Sequence, residues 1–179
     1  MLQHTYSNIE LLHVRMCFSK EMNQRGKISF YKITHLLSII LRIYKLKIKD
    51  NPNVLYYPPS NSPKVSIYRD VIILLFTRFL FKKTIFHFHA AGISEELPFL
   101  NPLLRKISYL CFSRPDFAIT SSRYNPKDAE FLKAKNILIL PLGIPDVAGN
   151  FLKKYNEKVL SILFVGLLNS TKGEEYILE

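Results

Sequence analysis

The sequence predicts an α/β fold, a doubly wound parallel sheet with helices on both faces, on three observations. Short runs of strand formers alternate with helical-period segments at roughly 25 to 30 residues per unit, the spacing of βαβ crossovers. The run NILIL (136–140) is apolar without alternation, as strands covered on both faces are. A hydrophobic content of 48% against 22% charged residues supplies an ample core and excludes a disordered chain.

The elements follow in order. Leu11 to Phe18 is a short mixed run with the composition of a strand. Ile28 to Ile48 repeats apolar residues at helical spacing, with Ile28, Ile33, Leu36, Leu37, Ile40 and Tyr44 forming a stripe that faces the sheet. NVLYY (53–57) is rich in strand formers and is stopped by Pro58 and Pro59. Ile67 to Lys82 reads as a helix and TIFHFH (84–89) as a strand. Glu95 to Cys111 reads as helical, with Pro98 and Pro102 marking breaks near its start. DFAIT (116–120) is a strand, and Asn125 opens a helix with Pro126 at its first position and Asp128 and Glu130 in its first turns. NILIL is the next strand. Pro141 to Tyr155 breaks the rhythm as a connecting loop, and VLSILFV (159–165) is the most convincing buried strand in the chain.

Composition narrows the function classes. Two cysteines, Cys17 and Cys111, exclude a disulfide scaffold and a four-cysteine zinc site, and both sit among apolar residues as buried thiols do. The start of the chain lacks the basic-apolar-small pattern of a secretory leader. No apolar run reaches the ~18 residues that span a bilayer. A cytoplasmic protein is expected, soluble or peripheral at the inner face of a membrane.

The net charge of +11 is segregated. Arg15 to Lys83 holds fourteen basic and three acidic residues, and the rest of the chain nets to zero. Segregation of this kind suits an anionic partner, although a solvated basic face would have the same composition. Lys32, Arg42, Lys45, Lys47 and Lys49, extended by Lys82 and Lys83, are the residues expected to meet an anionic membrane. A nucleic-acid partner is not expected, because the basic residues lie beside aliphatic runs and no nucleic-acid motif is recognisable. His87 and His89 share one strand face, and an H-x-H pair can ligate metal. With no obvious third ligand, no metal is expected. The aromatic pairs Tyr56-Tyr57 and Phe86-Phe88 read as core.

After VLSILFV come Gly166, a polar turn, Lys172, Gly173 and a helix start, GEEYILE. A helix N-terminus offers free N–H groups and a positive dipole end, a lysine adds a mobile cation, and glycine admits close approach. That combination suits phosphate oxygens. The spacing is not that of a Walker A loop, since no Ser or Thr follows the lysine.

LSILFVGLLNSTKGEEYILE resembles the opening of the second domain of family 4 glycosyltransferases, "fvGrl…KG…". PDFAITSSRYNPKDAEFLKAKNILILPLGIPD resembles that family's "aDavi..Se…l……i.vipnGid", and KTIFHFHAAGIS is similar to its "…i.t.Hg.g" strand and loop. The resemblance covers about Asn53 to Glu179. It implies two facing Rossmann-like domains: 1–145 as the acceptor-side domain, 146–158 as linker, and 159–179 as the start of the donor domain. It implies a retaining transfer of sugar from a nucleotide-sugar donor, a co-substrate rather than a cofactor, to a glycan or lipid-linked acceptor in polysaccharide or glycoconjugate biosynthesis. His89 matches the family's active-site histidine. Ser122 matches the serine ending its strand, Gly143 the glycine of "pnGid", and Gly166, Lys172 and Gly173 the diphosphate cradle. Leu167 stands where the family has Arg, and Leu142 where it has Asn. The acidic "Ex7E" region has no counterpart, so the sequence reads as a fragment of an enzyme about twice its length. Little turnover is expected of it alone. The alternatives are a non-catalytic remnant that binds acceptor or membrane and, further off, a basic nucleic-acid binder.

Overall fold

The computed structural model describes residues 9–16, 30–60, 64–89, 92–123, 126–141 and 143. All but Gly143 fall in the first of the chain's two units, 1–142. The expected linker (146–158) and donor-domain start (159–179) lie outside the described residues, as do Ile28 and Cys17.

The architecture is α/β: a four-stranded, all-parallel sheet flanked by helices. In chain order the elements are α1 (Phe30–Asp50), β1 (Val54–Tyr57), α2 (Lys64–Thr77), β2 (Lys83–Phe88), α3 (Ile93–Glu96), α4 (Pro102–Phe112), β3 (Phe117–Thr120), α5 (Lys127–Phe131) and β4 (Ile137–Ile139). Asn51, at φ 44°, ends α1 in the left-handed conformation that asparagine tolerates, its N–H donating to the Lys47 carbonyl at 3.2 Å. Asn101 caps α4 by accepting from the Leu104 N–H, with Pro102 at the first helical position.

The strands lie in the order β1-β2-β3-β4, so each crossover moves one strand along in the same direction. With right-handed connections, such an order carries the crossover helices to one face. The core agrees. Leu55, Tyr57, Phe86, Phe88 and Ala118 alternate inward from the strands and pack with Ile39 and Ile43 of α1, Ile67, Val71 and Leu74 of α2, Cys111 and Phe112 of α4, and Leu132. By the register Tyr56↔Ile85 and His87↔Ile119, the opposite face carries Val54, Tyr56, Ile85, His87, Phe117, Ile119 and Leu138. Val54, Tyr56, Phe117 and Leu138 are exposed there.

Several expectations need correcting. Residues 9–16 form no strand, although Val14 and Met16 pack against the core. NILIL was expected to be covered on both faces, yet Ile137, Leu138, Ile139 and Leu140 are all exposed. Its strand pairs only with β3 among the described residues, which makes it an edge. The stripe expected on α1 is rotated. Ile39, Ile40 and Ile43 are the buried residues, and Ile33 and Leu37 face outward. Tyr44 is exposed as well, its hydroxyl donating to the Phe76 carbonyl of α2. The Glu95 to Cys111 segment, by contrast, breaks where Pro98 and Pro102 were expected to break it: α3 gives way to a 3-10 turn at Leu97–Phe99, and α4 begins at Pro102.

Part of the basic excess is consumed inside the fold. The buried Arg78 guanidinium donates to the carbonyls of Leu110, Cys111 and Ser113 at 3.3, 2.5 and 2.5 Å, which satisfies the C-terminal end of α4. Burial pulls its pKa below the ordinary arginine value. Lys47 donates to the Pro52 carbonyl and lies over the Phe81 ring, so it does not project as expected.

Candidate functional site

Parallel α/β sheets gather ligands beyond the carboxyl ends of their strands. Here that edge is shaped by two buried aspartates on the helices that follow β1 and β3. Asp70 of α2, fully buried, accepts from the Tyr57 hydroxyl at 2.8 Å and from the Ser60 backbone N–H at 2.6 Å. Arg69 pairs with the same carboxylate at 2.6 Å and reaches the Ser60 hydroxyl at 2.5 Å. The segment leaving β1 is thereby fixed. Burial, and then the charge of Asp70, hold the Tyr57 phenol well above its usual pKa.

Asp128 of α5 does the same for the segment after β2. Its Oδ2 accepts from the N–H groups of Gly92 and Ile93 at 3.0 and 3.3 Å. Its Oδ1 accepts from the N–H and hydroxyl of Ser94 at 2.8 and 2.6 Å. Gly92 has φ 146°, a conformation that side chains rarely adopt. The donors at the start of α3, which an anionic ligand would otherwise seek, are occupied by this carboxylate.

His89 follows β2 directly, with its side chain exposed at this edge. His87, two residues earlier on the same face, is buried. The two imidazoles lie 4.1 Å apart between ring centroids, tilted by 33°. Behind them the Tyr56 hydroxyl is hydrogen-bonded to His87 Nδ1. Burial, then the charge of the neighbouring His89, lowers the His87 pKa below its usual 6.5. Burial raises that of Tyr56 above 10.0. Both groups are therefore neutral at physiological pH. The other ring nitrogen of His87 is Nε2. That nitrogen is buried and makes no hydrogen bond among the described residues.

The edge thus presents an exposed imidazole stacked on a buried neutral one, which a phenol orients. An exposed histidine so held can donate to or accept from a hydroxyl-rich ligand. Among the described residues no group of three or more His, Cys, Asp or Glu is arranged to hold a metal ion.

Of the other residues singled out from sequence, Ser122 is half-buried two residues beyond β3, its carbonyl accepting from the Thr120 hydroxyl at 3.4 Å. Since Phe88 pairs with Thr120, Ser122 and His89 leave neighbouring strands at the same edge. Gly143 is exposed, and a Cβ there would meet nothing within 4 Å, so its own surroundings do not demand glycine. Gly166, Lys172 and Gly173 lie outside the described residues.

Sequence reasoning missed Tyr56, which was read as core with Tyr57. Alternation along NVLYY puts only one of the two tyrosines in the core, but which polar neighbour the other meets follows from register. Asp70 and Asp128 were missed as loop anchors. No protein-family model, curated protein or solved structure matches this chain.

Proposed function

We propose that this chain is the acceptor-side part of a retaining glycosyltransferase of two facing Rossmann-like domains, with residues 159–179 opening the nucleotide-sugar domain. The sugar passes to a glycan or lipid-linked acceptor in polysaccharide or glycoconjugate biosynthesis. The observation that carries the reading is His89. The residue matching the family's histidine is an exposed imidazole at the carboxyl end of a strand in an all-parallel sheet. It is backed by His87 and Tyr56, and its loop is pinned by Asp128.

In this role His89 contacts donor sugar or acceptor hydroxyl, and Ser122 lines the same edge. Gly143, Gly166, Lys172 and Gly173 hold the donor, the last three around its diphosphate, where backbone N–H groups and one cation offset the departing charge. No cofactor enters; the nucleotide sugar is the co-substrate. The test replaces residues 159–179 by a complete nucleotide-sugar domain and follows release and transfer of sugar from nucleoside-diphosphate sugars. Activity that falls on the order of a hundredfold in His89→Ala, with donor binding retained, is expected. A joined protein that neither binds nucleoside diphosphates nor cleaves their sugars, or that is stabilised by RNA alone, overturns the proposal.

A further inference from the structure

The outward side of the helical layer is apolar where a water-facing surface should be polar. On α1, Leu37, Leu41, Tyr44 and Ile48 recur at spacings of three and four, which puts them on one stripe, and all are exposed, Leu41 at 68% and Ile48 at 83%. The stripe is distinct from the buried one of Ile39, Ile40 and Ile43. Tyr44 is hydrogen-bonded to the Phe76 carbonyl, so the exposed stripe runs along the side of α1 that adjoins α2. There α2 adds Ile72 and Phe76, and the following turn adds Phe79 at 65% exposed. On the far side of α2, Leu103 and Leu110 of α4 are exposed too. Large apolar side chains exposed together on three helices, with α2 packed against both α1 and α4, mark a surface that something covers.

The charges bordering it say what. Arg42, Lys45 and Lys49 flank the stripe along α1, all exposed, and the exposed Lys82 follows Phe79 by three residues. The only acid on α1 is its last residue, Asp50. Basic residues beside an apolar stripe on a helix that cannot span a membrane are the pattern of a helix lying in the bilayer interface. A second copy of the chain is a poorer occupant, since a two-fold interface would bring the same basic rims together.

We infer that the outer surface of α1, α2 and α4 docks on an anionic lipid bilayer, inserting its apolar stripe while the basic rim meets lipid phosphates. This corrects the sequence-based picture of five projecting cations. Lys47 is folded back, and insertion joins electrostatic attraction as the source of binding. The inference is independent of sugar transfer and can fail without disturbing it.

The chain contains no tryptophan, which supplies a clean reporter. Leu41→Trp places an indole on the stripe, and Leu138→Trp places one on the exposed sheet edge. Each full-length variant is titrated with vesicles of phosphatidylcholine alone and of phosphatidylcholine with phosphatidylglycerol, at low and high salt. The emission of Leu41→Trp should shift to the blue with the anionic vesicles, with about tenfold weaker binding to neutral ones, while Leu138→Trp stays unchanged. High salt should weaken the binding several-fold without abolishing it. Leu41→Trp/Phe76→Glu, with an unchanged circular-dichroism spectrum, should lose the shift. No shift with anionic vesicles, an equal shift with neutral ones, an equal shift from both reporters, or a concentration-dependent shift without vesicles overturns the inference.

Discussion

Replacing Asp128 should unfasten the loop that carries His89, and the size of the effect follows from the contacts. The carboxylate is buried and accepts four hydrogen bonds, from three consecutive N–H groups and one hydroxyl. A hydrogen bond to a charged group contributes about 1.5–3 kcal/mol, so four taken separately would amount to about 6–12 kcal/mol. They are not separate, because two oxygens share them and water can enter beside Ser94, which is only half-buried. Removing one partner from a buried charged network costs about 3–5 kcal/mol, and that range is expected for Asp128→Ala. For a chain of this length it corresponds to a melting temperature lower by about 6–20 °C. Asp128→Asn should lose nearly as much, since its amide would turn a donor toward donors. Urea unfolding followed by circular dichroism gives the free energy. Hydrogen exchange at Ile93 and Ser94 reports the loop itself, whose protection should fall before global unfolding in the asparagine variant. A loss below about 1 kcal/mol, or unchanged protection at those amides, would refute the reasoning.

Other outcomes follow from the same geometry. Tyr56→Phe leaves the His87 Nδ1 without its partner and should cost about 1–2 kcal/mol in denaturant unfolding, with the melting of Tyr57→Phe lowered independently through Asp70. His87 is held neutral with a native pKa below the unfolded 6.5, so the unfolded chain binds the extra proton. Its contribution is full above about pH 6.5 and is lost as pH falls through the lowered native value; the slope of stability against pH in that window should flatten in His87→Gln. The chain by itself should release sugar from nucleotide donors far more slowly than when joined to a complete nucleotide-sugar domain, because positioning donor against acceptor supplies much of the rate. Single-turnover assays of the two side by side measure the difference.

The strands and most helices were legible because their signals are local. Proline pairs stop NVLYY, apolar runs mark FAIT and ILI, and Pro98 and Pro102 mark the breaks ahead of α4. Coverage of those strands was not legible. An apolar strand has the same composition at a solvent-facing edge as in the middle of a sheet, and only the strand order puts β4 at the edge of the sheet among the described residues. The rotation of the α1 stripe has a similar cause. The helix is apolar around more than half of its girth, so periodicity alone cannot say which stripe the core takes.

The site divides along the same line. His89 was legible because it ends a strand within a motif, and His87 because alternation puts it on the same face. Tyr56 needed the β1–β2 register, which no local pattern encodes. Asp128 sits in the first turn of α5, where an acidic residue ordinarily faces water and interacts with the helix's own N-terminus, and Asp70 sits in the middle of α2, where nothing in the local pattern marks it. What distinguishes them is burial against loops from earlier in the chain, up to thirty-six residues away. A buried carboxylate persists only where donors converge on it, and convergence from distant segments exists only once the sheet has formed. The residues that hold this edge in shape were therefore the least visible in the sequence, while the histidine they present was the most visible.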